Sequence, residues 1–313
     1  MKNSPHAVSW GVIDIGSNTV LLSAGRLQPS GDLEILLECH GVARLAEKLQ
    51  DGHPLLEPAK ARVLQHLSNF KAQAKAAGIA HLQAAGTAAF RRASDGVAFA
   101  REIEERLQIP TRILTGNEEA HYSFLSAQRD LRTETVGMID IGGGSTEFVL
   151  GSEEQWTSLP LGTVRLHESY VHHDPITDQE WRGILTGIQK LLKEGIPNKP
   201  TENFPWVAVA ATPTTLAAVF LKLPNYDPKQ VHGYALRREP LRKLVEELRR
   251  LSLAERMAWP GMMPERAELL PVGGAILWQA MEFFGLEEIR ASHQGLRYGM
   301  LWEILENQEA IRE

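Results

Sequence analysis

The feature that most constrains the fold is a short pattern that occurs twice along the chain. Residues 11–25 are GVIDIGSNTVLLSAG and residues 137–151 are GMIDIGGGSTEFVLG. Six of the fifteen positions are identical at a constant offset of 126 residues. In each segment an apolar run ends near an aspartate, a turn follows and a second apolar run begins, which is the pattern of a β-hairpin. The repetition predicts two related α/β lobes, each presenting an aspartate and a turn to a shared cleft.

The second turn has the composition of a phosphate-binding loop. It consists of Gly142, Gly143, Gly144, Ser145 and Thr146. Glycines have no Cβ, so several backbone N–H groups can converge on one anion. Asp140 precedes the glycines and Glu147 follows them, and a simple turn would need neither carboxylate. A tight turn without a ligand is the alternative, because a lone glycine-rich turn is a weak motif.

Composition limits the class of protein and its partners. A chain of 313 residues with 43% hydrophobic and 23% charged residues is long enough for roughly two globular domains. The net charge of −6 disfavours general binding to nucleic acid or to an anionic membrane. A single cysteine, Cys39, excludes an intrachain disulfide. The N-terminus lacks the apolar region of a signal peptide, and no apolar run approaches a membrane span, so we expect a cytoplasmic protein.

Two arginines follow a predicted buried strand in the first half of the chain. Arg91 and Arg92 lie at the strand's exit, within GTAAFRRASDG (86–96). A pair of solvated surface arginines is the usual outcome for such residues. The functional alternative is that one of them binds a phosphoryl oxygen, because ligands gather at strand ends in open α/β sheets.

Paired glutamates mark the start of the helix before the second repeat. In TGNEEA (115–120) we predict Asn117 as the N-cap, which places Glu118 and Glu119 in the first helical turn. The helix dipole favours acidic residues there and explains both glutamates without catalysis. Local chemistry does not distinguish them.

Together, these segments resemble the exopolyphosphatase / guanosine pentaphosphate phosphohydrolase (Ppx/GppA) family. The matching segments are IDIGSNTV (13–20), GTAAFRRAS (86–94), TGNEEA (115–120), IDIGGGSTEFV (139–149), LPLGTVRL (159–166), VHGYAL (231–236), PERAELLPVGGAIL (264–277) and ASHQGLRYGML (291–301). The resemblance implies an α/β fold of two ribonuclease-H-like lobes, as in the actin / sugar kinase / heat-shock ATPase superfamily, around an interdomain cleft. We expect an N-terminal lobe of residues 1–125, with the C-terminal helix 300–313 as an optional addition, and a C-terminal lobe of residues 126–313.

The resemblance also implies roles for particular residues. Glu119 activates the attacking water, while Glu147 orients that water or holds a metal ion. Asp14 and Asp140 are expected near Mg²⁺ or Mn²⁺. The phosphate-binding set comprises Ser17, Asn18, Arg91, Gly142, Gly143, Gly144, Ser145, Thr146 and Arg266.

Two positions depart from the family pattern. Many members carry an arginine just after the first turn, where this chain has Leu21. The loop that is usually close to AGTATTL is here AATPTTL, with Ala211 and Pro213. Both changes weaken the expected contacts to a nucleotide or a second phosphate.

The predicted function is exopolyphosphatase activity, the metal-dependent release of orthophosphate from the end of inorganic polyphosphate. The alternatives are hydrolysis of the 5′-phosphate of pppGpp, and a non-catalytic sensor of phosphate or a phosphorylated guanosine nucleotide. A kinase of the same fold is a further rival, but the paired glutamates favour water as the acceptor. The chain is short for this family, and a homodimer is left open.

Overall fold

Two compact units make up the chain in a computed structural model, which describes residues 8–152, 154–200 and 202–310. The first unit contains residues 1–122 and 296–313, and the second contains residues 123–295. The division therefore falls after Tyr122 rather than after residue 125, and the chain re-enters the first unit at Leu296. Helix α4 (Gly116–Leu131) is continuous across the first division point.

The first unit is built on a five-stranded mixed sheet. Its strand order is β3-β2-β1-β4-β5. The first three strands are antiparallel neighbours, whereas β4 and β5 continue the sheet in parallel with β1. The strands are β1 (Trp10–Ile15), β2 (Thr19–Leu27), β3 (Leu33–Val42), β4 (His81–Gly86) and β5 (Thr111–Ile113).

Helices cover both faces of this sheet. One face packs against the long helix α1 through a buried cluster that includes Ile13, Leu22 and Leu67. The other face packs against α12 and the first half of α4 through Val12, Tyr122 and Leu301. The helices of this unit are α1 (Glu57–Ala76), α2 (Ala88–Arg92), α3 (Gly96–Leu107), the start of α4 and α12 (Leu296–Ala310).

The second unit repeats the same sheet and extends it by one strand. Its order is β10-β11-β9-β6-β7-β8, so β8-β7-β6-β9-β11 has the same order and directions as β3-β2-β1-β4-β5. The strands are β6 (Val136–Ile141), β7 (Thr146–Gly151), β8 (Trp156–Leu159), β9 (Trp206–Val209), β10 (Ala235–Arg237) and β11 (Glu288–Ser292).

Most helices of the second unit lie on one face of its sheet. There, Ile139 and Phe148 pack with the central helix α11, whose residues 270–281 are all buried. The helices are α5 (Thr163–Tyr170), α6 (Asp178–Gly195), α7 (Ala211–Leu221), α8 (Pro228–Val231), α9 (Arg238–Leu248), α10 (Leu253–Met257) and α11 (Leu270–Phe284), with a 3₁₀ turn at Pro264–Arg266. The shared strand order confirms the predicted α/β class with two ribonuclease-H-like lobes.

Within the described residues, no helix has both the length and the apolar composition that a membrane span requires.

Candidate functional site

The two hairpins that define the repeat are matched down to individual hydrogen bonds. The Gly16 amide donates to the Thr19 carbonyl at 2.9 Å, and the Gly142 amide donates to the Ser145 carbonyl at 2.9 Å. Asp14 lies opposite Leu21 across the β1–β2 ladder, and Asp140 lies opposite Glu147 across the β6–β7 ladder. The cross-turn hydrogen bond and the position of the aspartate in the ladder each have a counterpart 126 residues away, which confirms that the repeat is a structural duplication.

The carbonyl groups of the glycine turn are held by the start of α5. The Gly142 carbonyl accepts from the Thr163 amide at 3.0 Å, and the Gly143 carbonyl accepts from the Val164 amide at 2.9 Å. A trans peptide is planar, so each C=O points opposite to the N–H of the next residue. The amides of Gly143 and Gly144 therefore point away from α5. Across the described part of the chain, neither amide donates a backbone hydrogen bond.

The first turn is supported in the same manner by the segment after β3. The Ser17 carbonyl accepts from the Ala46 amide at 2.9 Å, and the Asn18 carbonyl accepts from the Ala43 amide at 3.0 Å. Both Ser17 and Asn18 are buried. Each unit thus fixes one face of its turn through carbonyls and directs amide groups to the other face, as an anion-binding turn requires.

Close packing around the second turn requires glycine at two positions. The backbone of Gly142 is not left-handed, but a Cβ there would lie 2.9 Å from the Ser145 carbonyl oxygen. A Cβ on Gly162, just before α5, would lie 2.3 Å from the Gly143 carbonyl oxygen and 2.4 Å from the Gly144 carbonyl carbon. Gly162 therefore determines how closely α5 can approach the turn.

Serine hydroxyls hold both carboxylates of the second unit. The Ser123 hydroxyl on α4 donates to Asp140 Oδ2 at 2.6 Å. Glu147 Oε1 accepts from Ser145 Oγ at 2.8 Å and from Ser158 Oγ at 2.7 Å. Ser158 lies opposite Glu147 in the β7–β8 ladder, so its side chain is on the same face of the sheet. Glu147 is nearly fully buried, at 3% exposure.

The two hydroxyl groups of the turn are used within the protein. The Ser145 hydroxyl donates to Glu147, as above, and the Thr146 hydroxyl donates to the Leu161 carbonyl. Thr146 is fully buried. In this structure both hydroxyls, which the sequence interpretation assigned to phosphate, donate to protein acceptors and so organise the turn.

The structure separates the roles of the paired glutamates. Helix α4 begins at Gly116, so Thr115, and not the predicted Asn117, occupies the cap position. The Thr115 amide donates to Glu118 Oε2 at 2.8 Å and the Glu118 amide donates to Thr115 Oγ1 at 3.2 Å, which together form a capping box. The Thr115 amide, aided by the Thr115 hydroxyl and by Arg112, lowers the pKa of Glu118 below its ordinary value despite the opposing effect of burial.

Glu119 points elsewhere and contacts Arg91. Its side chain is 9% exposed, and Oε1 accepts a hydrogen bond from Arg91 Nη1. The same nitrogen donates to the Leu114 carbonyl at 2.6 Å. Arg92 instead binds Asp51 Oδ1 at 2.6 Å and the Leu49 carbonyl at 2.7 Å. Arg91 is therefore the arginine that accompanies the buried glutamate.

Arg266, the remaining predicted phosphate-binding residue, ends the 3₁₀ turn in the second unit. Its Nε atom is buried and has no hydrogen-bond partner in the described structure. Burial lowers the pKa of its guanidinium below the ordinary value. A desolvated cation with an unused donor is suited to an anionic ligand.

The metal-binding prediction rests on three carboxylates. Asp14 lies in β1 of the first unit, and Asp140 and Glu147 face each other in the second. Among the residues that the structure describes, no group of three or more histidine, cysteine, aspartate or glutamate side chains is arranged to hold a metal ion.

Comparison with known proteins decides the family. The family model of the Ppx/GppA phosphatase family matches residues 26–308. The chain belongs to this family. The resemblance found in the sequence motifs is thereby confirmed.

Two curated relatives and one solved structure illustrate what this chain is similar to. Exopolyphosphatase 2 of Mycobacterium tuberculosis is 33% identical over 201 residues, covering 60% of this chain and 62% of the relative. Exopolyphosphatase 1 of the same organism is 25% identical over 305 residues, covering 95% and 88%. The Aquifex aeolicus Ppx/GppA family member superposes with a TM-score of 0.80 at 28% identity, covering 96% of this chain and 98% of that chain.

Three residues of this region were not identified from the sequence. Ser123 and Ser158 support the carboxylates, and Gly162 limits the approach of α5. Ser123 follows the paired glutamates by one helical turn, so its spacing placed it on the helix face of Glu119. The contact of Ser158 depends on strand register, which the sequence alone did not define.

Proposed function

We propose that this protein hydrolyses the terminal phosphoanhydride bond of inorganic polyphosphate and releases orthophosphate. The observation that carries the proposal is the division between the two glutamates of α4. The Glu118 carboxylate accepts hydrogen bonds in the helix cap, whereas the nearly buried Glu119 carboxylate contacts Arg91. A carboxylate in this setting is suited to orient a water molecule and accept its proton.

Phosphoryl transfer requires little covalent chemistry from the protein. Charge spreads over three equatorial oxygens in the transition state, so positioning and electrostatic neutralisation supply most of the catalysis. In our proposal the amides of Gly143 and Gly144, together with Arg91, neutralise these oxygens. Glu119 holds the water in line with the leaving phosphate and takes up its proton.

Divalent metal dependence is part of the proposal. Mg²⁺ usually keeps several waters and binds through one or two carboxylates plus substrate phosphates. Such a site needs no cluster of three protein ligands, and Asp140 and Glu147, which face each other across the β6–β7 ladder, suit it. When bound, Mg²⁺ or Mn²⁺ would neutralise charge on the phosphate oxygens.

Polyphosphate is preferred over pppGpp because the chain lacks two features that would help to bind a nucleotide. Leu21 occupies, in the first hairpin, the register position that Glu147 occupies in the second, and its side chain carries no charge and no hydrogen-bonding group. Pro213 is the third residue of α7 and removes one of the free amides at that helix start. The curated relatives named exopolyphosphatase support the same preference. We place this activity in the cytoplasm.

The test is phosphate release from four substrates: long polyphosphate, short polyphosphate, pppGpp and ATP. Each is assayed with Mg²⁺, with Mn²⁺ and with EDTA. We expect release from polyphosphate that requires the metal. Glu119→Gln should lower kcat by about 10²–10⁴-fold, the usual effect of removing a general base.

Glu118→Gln is the matched control, because it makes the same replacement of a carboxylate by an amide at the neighbouring glutamate. It should keep kcat within a few-fold and lower stability by about 1 kcal/mol, since it weakens the helix cap. Equal loss of kcat in both variants would contradict the assignment of the base. No release by the wild type from any substrate would favour a sensor, and release from pppGpp alone would overturn the substrate preference.

A further inference from the structure

Two serines of α4 are equally buried but differ in their hydrogen bonding. Ser123 and Ser126 lie three residues apart on the same helix, and both are 0% exposed. The Ser123 hydroxyl donates to Asp140 Oδ2 at 2.6 Å. The Ser126 hydroxyl is buried without a hydrogen-bond partner anywhere in the described structure.

The hydrogen bond from Ser123 matters because of where Asp140 lies. Asp140 and Glu147 face each other across the β6–β7 ladder, where directly opposed side chains have Cβ atoms about 4.5–5.5 Å apart. Like charges at that spacing repel, so each carboxylate must be held to keep a fixed orientation. Ser145 and Ser158 perform this for Glu147 from the turn and from β8.

Ser123 supplies the corresponding donor for Asp140, and it does so from a helix. A hydroxyl has one donor hydrogen, and at 2.6 Å to a carboxylate oxygen this is a short, charge-assisted hydrogen bond. It restricts the rotation of the Asp140 carboxylate about its Cβ–Cγ bond. Ser123 is fully buried, so water does not compete for its hydroxyl.

We propose that Ser123 is a positioning residue for phosphoanhydride hydrolysis, and that it acts by orienting the carboxylate of Asp140. The inference rests on the proposed function, since Asp140 is one of the carboxylates assigned there. Ser123 touches neither substrate nor the attacking water. Its effect on the rate passes through Asp140 alone.

The kinetic test compares Ser123→Ala with Ser126→Ala on polyphosphate. Both remove one buried hydroxyl from the same helix, but only the first removes a hydrogen bond. We expect Ser123→Ala to lower kcat by about ten- to a hundredfold, the range of a hydrogen bond to a charged group, with KM changed less than twofold. Ser126→Ala should leave both constants within about twofold of the wild type, because no partner is lost. Ser123→Thr, which retains the hydroxyl, should recover most of the lost kcat.

A double-mutant cycle tests whether Ser123 acts through Asp140. In an Asp140→Ala background, Ser123→Ala should cause no further loss of kcat, because the acceptor is already gone. A full additional loss in that background would overturn the inference, as would equal kcat losses in Ser123→Ala and Ser126→Ala.

The wild type, Ser123→Ala, Asp140→Ala and the double variant are also unfolded in urea, which separates this inference from the proposed function. Non-additive midpoint shifts for Ser123→Ala and Asp140→Ala would establish the contact independently of any activity. An inactive wild type would overturn the proposed function and the catalytic part of this inference together. An active wild type with additive kinetics would overturn the inference alone.

Discussion

Gly162→Ala is the change that most directly tests how the glycine turn is held. The backbone of Gly162 has φ −111° and ψ 151°, which alanine adopts without strain, so only the added Cβ matters. That atom would lie 2.3 Å from the Gly143 carbonyl oxygen and 2.4 Å from the Gly144 carbonyl carbon. Both are backbone atoms, so no side-chain rotation relieves the overlap.

The expected effect follows from the distance that the turn must move. Reaching ordinary contact requires a shift of roughly 1 Å, and a misplacement of that size in a binding group costs about 10²-fold in rate. Overpacking of this kind also lowers the free energy of unfolding by about 1–3 kcal/mol. We therefore expect kcat for polyphosphate to fall about 100-fold while the folded state persists.

The assay pairs phosphate release with urea unfolding for Gly162→Ala and for Gly183→Ala. Gly183 lies within α6, where a Cβ would meet only the Tyr170 ring at 3.1 Å. The control should retain full activity, and its stability should change by less than about 1 kcal/mol, because better helix propensity opposes the tight contact with the Tyr170 side chain. A folded Gly162→Ala protein with unchanged kcat would refute the argument that the position of the turn amides controls the rate.

Two further predictions concern stability. Gly299→Ala in α12 would place a Cβ 1.8 Å from the Tyr122 carbonyl oxygen, so we expect a loss of about 3 kcal/mol or more in urea unfolding. For Glu180, burial raises the pKa, but hydrogen bonds led by His173 prevail and lower it from 4.5 to about 2. Its depressed pKa contributes stability that is complete above about pH 4.5 and lost as the pH falls towards 2. In Glu180→Gln, the free energy of unfolding should therefore lose about 1–2 kcal/mol of its dependence on pH between 4.5 and 2. The figure is below the full value of the shift because solvent screens the exposed imidazole of His173.

A specific result would contradict each of these two stability predictions. Gly183→Ala is again the control for Gly299→Ala, because both are glycines within helices. Equal stability of the two variants would mean that α12 and α4 can separate at little cost. An acid profile of Glu180→Gln that parallels the wild type would mean that the capping-box carboxylate has no depressed pKa.

Much of the fold was predictable because the repeated pattern at residues 11–25 and 137–151 shows the duplication directly. The run Ile-Asp-Ile-Gly at residues 13–16 and 139–142 placed both hairpins correctly, since apolar runs around a turn specify paired strands. The capping box at Thr177 and Glu180 likewise has the three-residue spacing that defines this motif in a sequence. Local patterns of this kind need no long-range information.

The details of the site were less accessible, for identifiable reasons. The cap of α4 was placed at Asn117, a residue type that favours caps, but Thr115 has both the hydroxyl and a glutamate three residues later. That same spacing could have separated Glu118 from Glu119. The contacts of Ser123 and Ser158 depend on how a helix and a strand pack on the sheet, which no local pattern encodes.

The residues that face each other across the two hairpins show how the two halves of the duplication differ. In one half an aspartate faces Leu21, and in the other an aspartate faces Glu147. This difference at equivalent positions gives the two hairpins different side-chain charge, while the hydrogen bond across each turn, Gly16 to Thr19 and Gly142 to Ser145, is kept. The two hairpins therefore share one backbone geometry and differ in charge, because a pair of carboxylates in the second unit corresponds to an aspartate and a leucine in the first.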